Sequence, residues 1–186
     1  DRNITWADNR ASRYADLIEN DHNGFDIYHR TGTPLHPMSP LSKIFWMKHE
    51  QPEIYNQTAK FADIKTYIFY QLFEKYIIDY SMASATGMFN LEQLDWDEEA
   101  LELLGITREQ LPELVPTTHI LKGMKKRYAT LMDIDENTPV IVGASDGVLS
   151  NLGVNSYKNG EVAVTIGTSG AIRTVIDKPR TDEKAV

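Results

Sequence analysis

The stretch from residue 139 to residue 173 constrains the fold most, because it joins two apolar runs to two polar motifs. Residues 140–142 are a β-branched run typical of a buried strand. Apolar residues then recur at helical spacing between Val148 and Leu152. Farther on, larger apolar residues alternate over positions 162–166, which predicts a second strand that leads into a glycine-flanked turn. We therefore expect a strand and helix followed by a β-hairpin.

Asp146 lies at the predicted start of this helix. Backbone N–H groups and the positive end of the helix dipole favour an ionised carboxylate there. Phosphoryl transfer to an alcohol needs such a group to accept the hydroxyl proton, so Asp146 is a candidate general base. An Asp at a helix start is also an ordinary N-cap, and the local sequence leaves both interpretations open.

The predicted hairpin turn consists of Gly167, Thr168, Ser169 and Gly170, with Thr165 on the strand before it. Glycines at the tip allow backbone N–H groups and two hydroxyls to converge on an anion such as a nucleotide phosphate. Glycine and serine are also common turn residues, so a purely structural hairpin is the alternative.

A competing motif overlaps Asp146. Residues 143–147 read Gly-Ala-Ser-Asp-Gly and match the G-x-S-x-G nucleophile elbow, which also follows a strand and opens a helix. This interpretation makes Ser145 the nucleophile of an α/β-hydrolase. In such enzymes the His follows the Ser, whereas all five histidines of this chain precede Ser145. The hydrolase therefore requires a His beyond Val186.

Composition narrows the class of protein. The 186 residues are 41% hydrophobic and 25% charged, which is typical of a globular chain with a sizeable core. The net charge of −8 argues against a nucleic-acid partner. There is no cysteine and no apolar run near the roughly 18–20 residues that span a bilayer. We expect a cytoplasmic protein without a membrane partner.

Two segments near the start carry candidate ligand contacts. Residues 4–10, Ile-Thr-Trp-Ala-Asp-Asn-Arg, predict a short strand with a polar end, where an open α/β sheet presents binding groups. Residues 32–40 contain three prolines and predict a stiff loop that fixes His36 and Met38 at low entropic cost. The alternatives are a core role for Trp6 and a loop that only connects.

The remaining patterns predict alternating helices and strands up to residue 155. They favour helices at residues 14–18, 41–51, 64–73 and 98–104, and strands at 60–62 and 76–80. The helix over 64–73 is expected to turn Ile64, Tyr67, Ile68, Leu72 and Phe73 toward the core. A turn-like link at 157–160 predicts a boundary between two lobes, residues 1–156 and 157–186. The start without Met and the charged end predict a part of a longer protein.

Several blocks of this chain resemble the FGGY family of carbohydrate kinases. They are residues 4–10, 31–38, 40–44, 79–84, 96–101, 115–118, 143–153 and 165–173. The resemblance implies an α/β fold, a ribonuclease-H-like lobe of the actin-like ATPase superfamily in a two-lobe sugar kinase. Residues 1–156 would be the C-terminal part of the first, sugar-binding lobe, and 157–186 the start of the second, ATP-binding lobe. A first phosphate hairpin would precede Asp1, and the adenine site would follow Val186.

The resemblance also implies a reaction. The implied reaction is the phosphorylation of a small sugar acid, gluconate, by ATP with Mg²⁺. Xylulose or another polyol is the alternative substrate. Asp146 would be the general base. Gly167, Thr168 and Ser169, with Thr165 close by, would hold the ATP phosphates. The metal ligands are not identified, and the isolated segment is expected to be inactive.

The same resemblance implies a polyol pocket. Trp6 and Asp8 belong to the block that lines it in the family, and Gly147 follows the candidate base. His36 and Met38 lie on the proline-rich loop, and related glycerol kinases carry a tyrosine at the Met38 position. A homodimer is expected. A sugar-binding module without turnover is the third class of function, beside the kinase and the hydrolase.

Overall fold

The computed structural model describes residues 3–167 and 170–183. The helices within these residues are α1 (Ser12–Asp21), α2 (Gly24–Thr31), α3 (Pro40–Glu50), α4 (Pro52–Gln57), α5 (Ile64–Phe73), α6 (Tyr80–Ser84), α7 (Glu98–Leu104), α8 (Lys126–Met132) and α9 (Asp146–Gly153), with a 3-10 turn at Arg108–Gln110. The strands are β1 (Ile77–Asp79), β2 (Phe89–Asn90), β3 (Asp95–Trp96), β4 (Glu113–Val115), β5 (Ile120–Leu121), β6 (Val140–Ile141), β7 (Val162–Ile166) and β8 (Gly170–Thr174).

The strands form four two-stranded pairs within the described residues. Strand β1 runs parallel to β4, with Ile77 opposite Glu113. The pairs β2–β3, β5–β6 and β7–β8 are antiparallel. The last pair is the predicted hairpin, in which Ile166 lies opposite Gly170. The chain is thus mixed α/β, with one parallel pair near its middle.

Two apolar clusters lie on opposite faces of β1. Ile78 belongs to the larger cluster, which gathers Leu41 of α3, Phe89 of β2 and Leu104 of α7. Ile77, the preceding residue, belongs to the smaller cluster with residues of α5, β4, β5 and α8. Successive side chains of a strand point to opposite faces, so one short strand serves both cores. Each fully buried Leu, Ile or Phe contributes about 1.5–3 kcal/mol.

Local capping explains where the predicted helices begin and end. The Asp97 carboxylate accepts the N–H of Ala100 at 3.0 Å, and Gly105 ends α7 with φ 73° in the left-handed region. At α3 the Ser39 hydroxyl accepts the N–H of Ser42 at 3.3 Å, and Pro40 occupies the first turn. The prediction of a helix over 98–104 is confirmed.

Two predicted strands are wrong. Residues 5–10 form turns, in which the Asp8 N–H donates to the Thr5 carbonyl at 3.2 Å and the Asp8 carboxylate accepts the Arg10 N–H at 3.0 Å. These local bonds use groups that a strand would offer to a neighbour. In residues 60–62 the Phe61 N–H donates to the Gln110 carbonyl at 2.8 Å, but the segment does not form a β-ladder.

The predicted orientation of α5 is also wrong in part. Ile64, Tyr67 and Ile68 are 58%, 52% and 47% exposed, whereas Thr66 and Phe69 are buried. The Thr66 hydroxyl donates to the Ile77 carbonyl at 2.9 Å and so sets the rotation of the helix against β1. A helix that is apolar all round carries no stripe from which its buried face can be identified.

The strand at 140–142 forms but is less buried than expected. Ile141 of β6 is 62% exposed, and Val142, just after the strand, is 4% exposed. Across residues 3–167 and 170–183, we find no helix that is both long enough and apolar enough to cross a membrane.

Candidate functional site

A cavity of about 1010 Å³ opens beside α3 and brings three predicted substrate contacts together. Trp6, His36 and Met38 all contribute to its wall, together with Lys43 from α3. Asp8, Asp146 and Gly147 are not among the described residues of that wall. The structure thus groups three of the five predicted polyol contacts.

The proline-rich loop holds His36 and Met38 through short polar contacts. The Met38 N–H donates to Nδ1 of His36 at 3.1 Å, so that ring nitrogen acts as an acceptor. The Thr33 hydroxyl donates to the Ser84 carbonyl at 2.7 Å and ties the loop to α6. Met82 of the same helix lines the cavity. The loop therefore has a defined position against α6, as expected for a stiff connection.

Lys43 anchors the turn that carries Trp6. Its Nζ donates to the Thr5 carbonyl at 2.6 Å, while the residue is only 7% exposed. Burial lowers the pKa of Lys43, against the opposing effect of the Asp8 carboxylate. The Trp6 side chain itself is 74% exposed and is therefore available to a ligand.

The Asp8 carboxylate forms an ion pair with the Arg10 guanidinium. Its Oδ2 lies 2.6 Å from Nη2 of Arg10, and the hydrogen bonds from Arg10 lower the pKa of the Asp8 carboxyl. The Arg10 guanidinium in turn lies 5.0 Å from the centre of the Trp46 ring. Asp8 is thus ionised and oriented beside the cavity, although it is not part of its wall.

Asp146 is the first residue of α9, as the sequence predicted. Its side chain is exposed, and Oδ1 accepts the N–H of Gly147 at 2.7 Å. Ser145 is the N-cap residue by conformation but makes no side-chain capping bond. The carboxylate at this helix start is therefore open to a ligand.

The hairpin approaches α9 through Arg173, which the sequence analysis did not single out. A Cβ atom built on Gly147 would lie 3.3 Å from Arg173 Nε. Nη1 of Arg173 donates to the Thr165 hydroxyl at 3.3 Å. Gly167 forms an exposed bend after β7, whereas Thr168 and Ser169 lie outside the described residues. The signal that could have identified Arg173 is a cation in a strand that leaves a predicted phosphate turn.

A buried carboxylate, Asp79, is linked through Ser81 to the residue before the candidate base, and the sequence did not point to it. Asp79 is 0% exposed, and its Oδ2 accepts Nζ of Lys65 at 2.5 Å. The Ser81 hydroxyl donates to Oδ1 of the same carboxylate. Burial acts to raise the pKa of Asp79, but the hydrogen bonds from Lys65 and Ser81 outweigh it and lower this pKa overall. The N–H of Ser145, next to Asp146, donates to Oγ of Ser81 at 2.8 Å.

The described residues do not assemble a magnesium site by themselves. No group of three or more His, Asp or Glu side chains with metal-binding geometry occurs among residues 3–167 and 170–183. Magnesium bound with a nucleotide needs only one or two carboxylates besides the phosphate oxygens. We therefore assign no magnesium ligand.

Comparison with known proteins decides the family. The sequence model for the "FGGY family of carbohydrate kinases, N-terminal domain" matches residues 1–153. The chain belongs to the FGGY family of carbohydrate kinases. A gluconokinase from Bacillus subtilis (strain 168) is 61% identical over 181 residues, which cover 97% of this chain and 35% of that protein. The chain thus spans about a third of the length of this relative.

Solved structures agree with this FGGY assignment. A gluconate kinase from Lactobacillus acidophilus matches with a TM-score of 0.95 and 42% identity, over 98% of this chain and 37% of that one. A ligand-bound xylulose kinase from the same organism matches with the same TM-score, identity and coverage. The expected α/β, ribonuclease-H-like fold of the actin-like ATPase superfamily is confirmed.

The hydrolase interpretation of Ser145 does not fit an FGGY chain. Strand β6, which precedes Ser145, pairs antiparallel with β5, whereas a nucleophile elbow follows a strand of a mainly parallel sheet. The G-x-S-x-G match lies within residues 1–153, which match the FGGY N-terminal domain.

Proposed function

We propose that the protein containing this chain is an ATP-dependent kinase that phosphorylates gluconate to 6-phosphogluconate. The observation that carries the proposal is the 61% identity with a gluconokinase along 97% of this chain. A relationship that close over nearly the whole chain favours the same class of substrate. The likeness to a gluconate kinase structure supports it independently.

In this proposal the sugar acid occupies the cavity beside α3. Trp6 offers an exposed aromatic face for the apolar side of the carbon chain, and Asp8 accepts hydrogen bonds from polyol hydroxyls. His36 and Met38 contribute from the loop, and Gly147 lets the substrate approach the start of α9. Specificity for the polyol then comes from a few polar groups in a largely apolar wall.

Asp146 acts as the general base in this proposal. As the substrate hydroxyl oxygen attacks the γ-phosphorus of ATP, its proton passes to the Asp146 carboxylate. The bond between the γ-phosphorus and the β–γ bridging oxygen breaks, and ADP leaves with the electron pair of that bond. The exposure of the Asp146 side chain and its place at the helix start support this role.

The hairpin holds the phosphates of ATP in the same proposal. Thr165 lies near the end of β7 and Gly167 directly after it, and Arg173 adds a cation next to Gly147. Thr168 and Ser169, which lie outside the described residues, stay predicted phosphate contacts. Magnesium would neutralise phosphate charge when bound with ATP. The boundary between residues 156 and 157, the homodimer and the cytoplasmic location stay predictions.

Xylulose is the second candidate substrate. The observation that favours it is the equally good structural match to a protein described as a xylulose kinase. Both compounds are linear polyols, so the same cavity could hold either carbon chain. They differ in charge, because gluconate carries a carboxylate and xylulose does not.

The test is a substrate panel with the complete protein. Initial rates of ADP formation are measured with ATP and Mg²⁺ in the presence of gluconate, xylulose, glycerol or no acceptor. We expect a kcat/KM for gluconate at least tenfold above that for xylulose. A preference for xylulose would overturn the gluconate assignment, and the absence of any acceptor-dependent ADP formation would favour the sugar-binding module without turnover.

A further inference from the structure

We infer that Lys65 and Ser81, joined through Asp79, form a clamp that positions the loop directly before Asp146. We call these three residues the Asp79 clamp. The inference rests on the proposed function, because it concerns the base of that reaction. It assigns Lys65 and Ser81 as positioning residues that act on Asp146 through the backbone.

The buried carboxylate is the centre of the clamp. Asp79 is 0% exposed, so its charge needs partners inside the protein. One oxygen, Oδ2, accepts Lys65 Nζ at 2.5 Å. The other, Oδ1, accepts the N–H of Ser81 at 3.0 Å, the N–H of Met82 at 3.2 Å and the Ser81 hydroxyl. Both carboxylate oxygens of Asp79 thus accept hydrogen bonds, and these bonds fix the orientation of the Lys65 and Ser81 side chains.

Two arms extend from this centre to the same loop. Lys65 Nζ also donates to the Gly143 carbonyl at 3.3 Å. The Ser81 hydroxyl gives its hydrogen to Asp79, which leaves its oxygen free to accept the Ser145 N–H at 2.8 Å. The arms hold the residues on both sides of Ala144, and the residue after Ser145 is the proposed base.

The first residue of this loop, Gly143, has little packed around it. Gly143 has φ 72°, a conformation that favours glycine, and no heavy atom lies within 4 Å of a Cβ built there. The Gly143 N–H donates to the Thr117 carbonyl at 2.9 Å, which fixes the start of the loop only. The exposed Asp146 carboxylate is bonded to the adjacent Gly147 N–H. The Ser81 arm therefore holds the end of the loop that faces Asp146, and the Lys65 arm holds its start together with Thr117.

The alternative is that Asp79 only caps α6 and pairs with Lys65 for stability. Its carboxylate does accept two backbone N–H groups of that helix. A purely structural role predicts that removing the Ser81 hydroxyl lowers stability without a specific loss of turnover. A positioning role predicts a fall in kcat with little change in KM for the acceptor, because a small displacement of a reacting group is costly.

The variants are tested in the complete protein. Ser81→Ala removes one arm, Ser81→Thr keeps the hydroxyl, and Ser84→Ala is the matched control. The Ser84 hydroxyl donates to the Ser81 carbonyl at 3.0 Å within α6, and the contact of Ser84 with Thr33 uses its backbone carbonyl, which alanine keeps. We expect kcat for gluconate to fall about 10- to 100-fold in Ser81→Ala, with KM for gluconate changed less than threefold. Ser81→Thr is expected to restore most of kcat, and Ser84→Ala to leave it unchanged.

The second arm has its own control. Lys65→Met is compared with Lys48→Met, because Lys48 Nζ also donates to a backbone carbonyl, that of Leu103, at 2.9 Å. Lys65→Met leaves Asp79 buried without its cation, so Lys65→Met with Asp79→Asn is the companion variant that removes both charges. We expect either Lys65 variant to lower kcat and Lys48→Met to leave it unchanged. If the losses of kcat in Lys65→Met and Ser81→Ala do not add in the double variant, the two residues act on the same loop.

Hydrogen exchange gives a readout that does not depend on turnover. We expect the amides of residues 143–147 to exchange at least tenfold faster in Ser81→Ala than in wild type or Ser84→Ala. The positioning role would be overturned if these amides exchanged faster in Ser81→Ala while kcat stayed at the wild-type value. It would also be overturned if their exchange rate did not change. A wild-type protein without any polyol kinase activity would instead overturn the proposed function, and exchange would still show whether the clamp holds the loop.

Discussion

The Arg173 guanidinium of β8 lies against Gly147 of α9, with Nε 3.3 Å from the position of a Cβ atom on that glycine. The hairpin proposed to bind phosphate thus contacts the helix that begins with the proposed base. The same guanidinium donates to the Thr165 hydroxyl at 3.3 Å. A positive charge at this junction is well placed for a phosphate that approaches Asp146.

Arg173→Met should therefore weaken ATP binding more than sugar binding. Loss of one charged hydrogen-bond donor is worth about 1.5–3 kcal/mol, or roughly 10- to 100-fold. We expect the KM for ATP to rise by about that factor while the KM for gluconate changes little. Steady-state kinetics with each substrate varied in turn measures this. Equal effects on both KM values would contradict a role for Arg173 at the phosphates.

Gly147→Ala probes the same contact from the other side. An added Cβ would press on the flexible end of the Arg173 side chain, which has to shift by a few tenths of an ångström. Gly147 lies in the first turn of α9 and does not have a positive φ, so alanine should stabilise the fold by about 0.4–1 kcal/mol through the lower entropy of the unfolded chain. We expect an unchanged or higher melting temperature together with a raised KM for ATP. A loss of thermal stability would show that Gly147 is needed for the fold instead.

Asp146→Asn should remove the proton acceptor and keep the shape of the site. General-base catalysis contributes about 10²–10⁴-fold, so kcat for gluconate should fall by that factor. Ser145→Ala is the control, because it keeps the backbone N–H that contacts Ser81. Initial-rate measurements on both variants decide whether Asp146 or Ser145 is the catalytic residue. A severe loss in Ser145→Ala with a mild one in Asp146→Asn would contradict the assignment of Asp146 as the base.

Lys43→Met should release the turn that carries Trp6. The Lys43 ammonium holds the Thr5 carbonyl at 2.6 Å, and both Lys43 and Trp6 line the cavity. A hydrogen bond from a charged group is worth about 1.5–3 kcal/mol, so we expect KM for gluconate to rise at least tenfold. Lys48→Met, outside the cavity wall, is the control. The prediction fails if KM is unchanged in the Lys43 variant.

The ion pair between Arg30 and Asp97 should make the free energy of unfolding depend on pH. Asp97 Oδ2 lies 2.7 Å from Arg30 Nε, and the Asp97 side chain is 2% exposed. Burial acts to raise the pKa of Asp97, but the Arg30 hydrogen bonds and charge outweigh it and lower this pKa below its usual range. Because the pKa is lower in the folded state, this contribution is present above about pH 4 and is lost as the pH falls through the folded-state value.

Asp97→Asn therefore should lower the free energy of unfolding at pH 7 and have a smaller effect at pH 3. We expect about 3 kcal/mol at pH 7, at the lower end for a buried pair because Arg30 is 27% exposed. Asp95→Asn breaks an exposed pair with Arg108 and should cost about 0–1 kcal/mol. Urea unfolding at both pH values measures the difference. Equal costs for the two variants would contradict the burial argument.

Elements with local signals could be predicted from the sequence. Asp97 before α7 and Gly105 after it mark both ends of that helix, and the alternation over residues 162–166 predicts β7. The place of Asp146 at a helix start follows from the same kind of pattern. Each signal lies within a few residues of the element, so the local chain alone decides the outcome.

Tertiary contacts decided what local patterns left open. The face that α5 buries depends on a bond from Thr66 to the Ile77 carbonyl, 11 residues away along the chain. The clamp joins Ser81 to Ser145 across 64 residues and Lys65 to Gly143 across 78. No spacing rule links positions so far apart, because only the folded chain brings them within hydrogen-bond distance. The sequence by itself thus determined the helix start, the hairpin and the family, while burial and these long-range polar contacts decided which side chains surround the proposed base.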